Sequence, residues 1–163
     1  MKKLLLALGV VMVAAASLAL WGSTFATGVV RDQLVAQKIS FPDEATLKED
    51  NPALVKYAGQ TVDNGEKAKA YSEYIAGHLE NIGGGKTYSE VSSEYQKDRT
   101  NQELAGQRER LFMGETLRGL LLNAWGWGLI GTIALYASVA MYLTAAGLVL
   151  AAVVAPAKKR SKK

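Results

Sequence analysis

The sequence predicts an all-α membrane protein: two transmembrane helices, N-in and C-in, with an extracytoplasmic helical domain between them. Three observations predict it. Residues 4–30 and 119–157 contain no Asp, Glu, Lys, Arg or His. All 15 acidic residues lie between positions 31 and 118 beside 12 basic ones, a net of −3, while the two ends carry seven Lys/Arg and no acid. The middle is punctuated by helix caps and shows no period-2 strand. The mean hydropathy of +0.05 is therefore the average of two unlike kinds of chain. A length of 163 residues is a prior for one domain.

The first apolar run, Leu4 to Val30, has 27 residues, more than the ~20 that cross a ~30 Å hydrocarbon core. A cleavable signal peptide is the rival reading, since Lys2 and Lys3 form a positive n-region and small residues recur at Ala14, Ala16, Ala19 and Ala26. The apolar core, though, runs from Leu4 to at least Leu20, beyond the roughly 7 to 15 residues of a signal h-region. The length favours an uncleaved anchor over residues 1–30, including its short cytoplasmic N-terminus.

The second run, Gly119 to Ala157, has 39 residues and would make a helix of roughly 58 Å at ~1.5 Å per residue. That is too long for one span and too short for two with a turn. The expected resolution is a span near Gly128 to Ala152, preceded by an interfacial helical stretch holding Trp125 and Trp127. Pro156 closes the helix, and five basic residues follow in the tail 158–163. By the positive-inside rule that tail is cytoplasmic, as are Lys2 and Lys3, so residues 31–118 lie outside. A tail this short, without interleaved aromatics, points to anionic lipid contact rather than nucleic acid.

Within 31–118, Arg31 to Ile39 continues the first helix and Ser40 to Glu44 reads as a break. Asn51-Pro52 is an N-cap with proline at the first helical position, opening a short helix that Gly59 ends. Asp63-Asn64-Gly65 launches a longer helix with Ala68, Tyr71, Ile75, His78, Leu79 and Ile82 on one face, and Gly83-Gly84-Gly85 stops it. Thr87 to Glu90 is a capping box, and Thr100 to Glu103 a second one that leads through Leu104, Leu111 and Leu117 into the second span. Large aliphatics are sparse between Gln60 and Gln102, where tyrosines carry much of the apolar surface. Tyr71, Tyr88 and Tyr95 are candidates both for a small core and for partner contact.

Several chemistries are excluded or disfavoured. No cysteine is present, which removes disulfides, thiolate metal sites, cysteine nucleophiles and a lipoprotein anchor. Gly83-Gly84-Gly85-Lys86-Thr87 lacks the earlier glycine of a phosphate loop, since position 80 is Glu80, and no buried strand precedes it. His78 is the only histidine, so it excludes two-His metal sites and reads as structural or interfacial. The pairs Asp43/Glu44 and Glu49/Asp50 flank helix ends, where carboxylates favour N-termini and solvent. No catalytic, cofactor or metal site is expected. No charge within either span marks an ion path.

Small residues four apart, Ala15, Ala19 and Ser23, then Ala124, Gly128 and Thr132, then Ala134 and Ser138, offer faces for close helix approach. Arg118, Asn123, Trp125 and Trp127 form a polar and aromatic belt at the outer interface, for anchoring or for partner contact.

The block Lys56-Tyr57-Ala58-Gly59-Gln60 through Asp63-Asn64-Gly65-Glu66-Lys67-Ala68-Lys69-Ala70-Tyr71, with Gly85 to Val91 and Gly114 to Ala124, resembles small two-span actinobacterial membrane proteins across nearly the whole chain. Some of these carry an aromatic ring-opening dioxygenase label. That chemistry wants two His and a carboxylate on iron, and one His is present, so the label does not fit. The architecture is also similar to accessory subunits of the actinobacterial cytochrome bcc and cytochrome oxidase supercomplex. The resemblance implies a non-enzymatic accessory or assembly subunit whose partners are membrane lipids and larger membrane subunits, with no nucleic acid and no cofactor. The alternative is a self-associating envelope protein that holds lipid or a wall component.

Overall fold

The computed structural model describes residues 1–154; Pro156 and the basic tail 158–163 lie outside the described residues. The protein is all-α, 84% helix. Five helices follow in order: α1 Lys2–Ala36, α2 Glu44–Asp50, α3 Gly65–Gly83, α4 Tyr88–Lys97 and α5 Gln102–Val154, with a 3₁₀ segment Pro52–Tyr57 between α2 and α3. α1 and α5 are long and apolar enough to cross a membrane. The chain divides into a hairpin unit, Met1–Ala26 with α5 from Ile130 onward, and a central unit, Thr27–Leu129.

In the hairpin unit α1 and α5 run antiparallel, with Gly9 against Val149 and Ala145 and Ser17 Oγ 2.8 Å from Tyr142 Oη. The buried positions recur at sevens: Gly9, Ala16 and Ser23 on α1, and Gly131, Ser138, Ala145 and Ala152 on α5. A seven-residue repeat matches two helices wound left-handed about each other, and the small side chains bring the backbones close. The packing period is therefore seven, where the sequence pattern suggested four. Of Ala15, Ala19 and Ser23, only Ser23 is fully buried. Leu4, Val11, Leu18 and Phe25 on α1, and Ile133, Leu143 and Leu150 on α5, face outward. A hairpin that buries its small residues and exposes its large apolar ones suits lipid rather than water.

The central unit is built from local signals. α1 stops after Ala36, where Lys38 adopts a left-handed backbone (φ 53°) and turns the chain. Residues 39–42 then run beside 59–62: Phe41 N–H donates to Gln60 O and Val62 N–H to Ile39 O, each at 2.9 Å. The ribbon includes one antiparallel bridge, Ser40 to Thr61, and it seats Phe41 inward. The break expected over Ser40 to Glu44 is present through Asp43, which caps α2 by accepting from Thr46 N–H at 2.9 Å. Asn64 caps α3 by accepting from Lys67 N–H at 2.9 Å. α3 ends with Gly84 at φ 58° and Gly85 at φ 79°, their amides returning to the carbonyls of Asn81 and Glu80. That left-handed exit is the conformation glycine adopts at least cost.

The capping box at α4 is complete: Thr87 Oγ1 accepts from Glu90 N–H while Glu90 Oε2 accepts from Thr87 N–H. At α5 the cap falls one residue later than the second box implied. Thr100 Oγ1 is taken by Asp98 at 2.6 Å, and Asn101 Oδ1 accepts from Leu104 N–H instead. The amides that these caps feed to carboxylates hold Asp43 and Glu90 below their ordinary pKa, and hydrogen bonds from Thr100 do the same for Asp98. A depressed folded pKa contributes stability above the unfolded value of ~4 and loses it as pH falls through the folded value. Amide protection on α2, α4 and the start of α5, taken against the intrinsic exchange rate at each pH, is therefore expected to fall below about pH 4. The Glu90→Gln variant should flatten that dependence at α4.

Two clusters form the core. The first gathers Val30 and Leu34 of α1, Phe41, Leu47 of α2, Leu54, Val62, Ala68 and Ala70 of α3, and Leu121 of α5. The second joins Leu79 of α3, Val91 of α4 and Leu111 of α5. Glycines let α3 and α5 meet. Leu79 occupies the space that a Cβ at Gly114 would need. A Cβ at Gly65 would lie 3.2 Å from Trp125 Cα and 3.3 Å from Gly128 Cα.

Candidate interaction surfaces

The tyrosines form a continuous aromatic run along α3. Phe41 stacks on Tyr57 at 5.1 Å and meets Tyr71 edge-on at 5.2 Å; Tyr71 leans on Tyr74, and Tyr74 on the His78 ring at 4.5 Å. Tyr71 is half-buried, and that burial raises its pKa. His78, expected on the apolar face of α3, instead points to the end of α2. Its Nδ1 donates to Tyr74 O at 3.2 Å and its Nε2 lies 3.6 Å from Asp50 Oδ2. Tyr74 Oη donates to the same carboxylate oxygen at 3.4 Å. Glu49, Asn51, Gly77 and Asn81 complete a shallow polar depression there. Chemically this is a tie between α2 and α3 through one carboxylate. Among the described residues no group of three or more His, Asp or Glu could hold a metal ion.

Tyr88 and Tyr95 lie on α4. Tyr88 is exposed and packs on Phe112 at 5.7 Å; Tyr95 lies under the Arg108 guanidinium at 4.3 Å. Arg118 is held by its own helix, Nη1 donating to both oxygens of Glu115 at 2.8 and 2.9 Å. Trp125 is half-buried with Lys69 Nζ 5.1 Å from its ring, a cation–π contact that joins α3 to α5. Asn123 and Trp127 are exposed. Ala124 packs against the first core cluster. Gly128 is spent inside the central unit against Gly65, while Thr132 faces outward.

A surface that the sequence did not flag lies on α5 of the central unit. Phe112, Met113, Leu117 and Leu120 are 56%, 51%, 51% and 64% exposed, within a stretch that also carries Glu109, Arg110, Glu115 and Arg118. Met113, Leu117 and Leu120 follow at intervals of four and three, one helix face. With Tyr88 beside Phe112 the face joins α4 to α5. The face is thus an exposed run of large apolar side chains beside charged ones. Their spacing was legible in the sequence, but their exposure depends on α3 covering the neighbouring face through Leu111, Gly114 and Leu121.

No protein-family model, curated protein or solved structure matches the chain.

Proposed function

We propose that this chain is a non-enzymatic accessory or assembly subunit of a plasma-membrane complex, docked on a larger subunit through the Phe112, Met113, Leu117 and Leu120 face of α5. The carrying observation is that exposed face in the otherwise charge-rich central unit. The hairpin unit is the membrane anchor, and Arg118, Asn123, Trp125 and Trp127 serve as membrane-interface or partner contacts. The central unit is extracytoplasmic and both termini are cytoplasmic, a reading supported by Lys2, Lys3 and the basic residues of 158–163. The flanking charges Glu109, Arg110, Glu115 and Arg118 support a protein surface rather than acyl chains as the occupant. The resemblance to accessory subunits of a cytochrome bcc and oxidase supercomplex makes a respiratory complex the partner. A tagged chain extracted in mild detergent is expected to bring cytochromes with it, read by haem absorbance; full yield of the chain without haem contradicts the respiratory assignment. A periplasmic-type reporter that is active when fused after Lys163 contradicts the topology.

A further inference from the structure

Two tyrosines lie on α5 inside the hairpin unit, and only one has a partner there. Tyr142 Oη sits 2.8 Å from Ser17 Oγ. Tyr136 is 70% exposed, and its hydroxyl makes no hydrogen bond among the described residues. Tyr136 is 18 residues past Arg118 and 22 before Lys158, near the middle of the charge-free run 119–157, so in the proposed membrane placement its phenol lies within the hydrocarbon. A hydroxyl held there unpaired is costly, so it calls for a polar partner at the same depth.

Its neighbours narrow the choice of partner. Tyr136, Leu143 and Leu150 stand seven apart, and all are exposed, at 70%, 70% and 65%. Ile133, Ala140 and Gly147, also seven apart, alternate with them, and a Cβ at Gly147 would meet nothing within 4 Å. This is an a/d pattern with large residues at one position and mainly small ones at the other. It lies opposite the Gly131, Ser138 and Ala145 seam that packs on α1, so α5 carries two seams of the same period and only one is filled within the chain.

We propose that the open seam is filled by α5 of a second copy, parallel and related by a two-fold axis along the membrane normal, with the two Tyr136 hydroxyls bonded to each other. Copies inserted in the same direction hold identical residues at identical depth. A phenol is both donor and acceptor, so it satisfies its own twin. Leucines then face leucines across the axis, while Ala140 and Gly147 admit the close approach. The inference rests on the membrane placement proposed above and not on the respiratory partner, and it uses different residues from the docking face.

The chain has no cysteine, so single-cysteine variants report contacts directly. In native membranes Leu143→Cys and Leu150→Cys are expected to oxidise to disulfide-linked dimers at least about ten times more than Leu135→Cys and Val149→Cys, which are exposed but turned by about 100° from the seam, since contact is restricted to it. Tyr136→Phe should weaken the dimer about three-fold, the size of a typical hydrogen bond between membrane helices. The unaltered chain in mild detergent should have twice its 17.5 kDa mass after correction for detergent and any bound subunits. Equal crosslinking at the control positions, or a single copy of the unaltered chain, overturns the pairing. Linkage of position 143 only to a larger protein overturns it too, while leaving the accessory-subunit reading intact; a dimer that brings no larger subunit overturns that reading alone.

Discussion

Phe41→Ala is expected to unfold the junction of α2, the 3₁₀ segment and α3 in the central unit while leaving the hairpin helical. Phe41 is 3% exposed and is pressed between Tyr57 and Tyr71, where a ribbon of main-chain hydrogen bonds places it. Removing a buried phenylalanine costs about 3–5 kcal/mol, a large share of the ~5–15 kcal/mol that holds a domain together. No neighbouring side chain can fill the gap cheaply, because Leu47, Leu54 and Val62 are already buried on other sides. Hydrogen exchange should show protection lost across residues 39–75 and retained in the hairpin. Protection unchanged at Leu47 and Leu54 contradicts the placement of Phe41 at the centre of this core. Phe41→Leu, which keeps most of the apolar volume, should lose markedly less.

Gly65→Val should be the second most damaging single change, for the opposite reason. A Cβ at position 65 meets Trp125 Cα, Ala124 O and Gly128 Cα at 3.2–3.3 Å, all backbone atoms that cannot rotate away. Overpacking of this kind costs about 1–3 kcal/mol, and a branched side chain lies at the upper end. Displacing the start of α3 would also separate Lys69 from Trp125. Gly128→Ala should produce a similar though smaller loss, because its Cβ would lie 3.2 Å from Gly65 Cα. The two substitutions should combine non-additively, since each spoils the same contact. Gly77→Ala supplies the contrast: no atom lies within 4 Å of its Cβ, so it should stabilise α3 by up to about 1 kcal/mol. A Gly65→Val chain with unchanged thermal midpoint would mean that α3 and α5 do not touch there.

The features legible in the sequence are those that a few neighbouring residues decide. Asn64, the paired glycines 84 and 85, and the Thr87/Glu90 box each satisfy or release specific main-chain groups, and the structure places helix ends at each of them. α2 was not legible, because seven residues are too short to display a helical period and Pro42 beside Phe41 reads as a break. What starts α2 is the Asp43 side chain, one position beyond that proline. The shift of the α5 cap from Thr100 to Asn101 is likewise a competition between two local hydrogen bonds, won where Asp98 engages the threonine.

Packing choices were less legible because they depend on what arrives from elsewhere in the chain. Alanine-rich helices contain small residues at many spacings, and only the presence of an antiparallel α5 selects Gly9, Ala16 and Ser23 over Ala15 and Ala19. His78 shares the helical period of Ala68 and Leu79, yet the end of α2 draws it to Asp50. The docking face escaped the sequence reading because Leu117 and Leu120 look like the approach to a membrane span. Their exposure follows only once α3 covers the neighbouring face of α5 through Leu111, Gly114 and Leu121.

In the function proposed above, the Phe112, Met113, Leu117 and Leu120 face holds the chain on a larger membrane subunit. The most direct measurement compares the unaltered chain with the double variant Leu117→Glu/Leu120→Glu, both tagged, expressed in the native membrane and purified in mild detergent. Both positions are more than half exposed, so the variant should insert and fold with unchanged helix content. A charge buried without a partner at a protein contact costs several kcal/mol. The haem absorbance recovered per tagged chain is therefore expected to fall at least about ten-fold. Equal haem recovery from both chains, with the variant correctly inserted, would contradict the docking face.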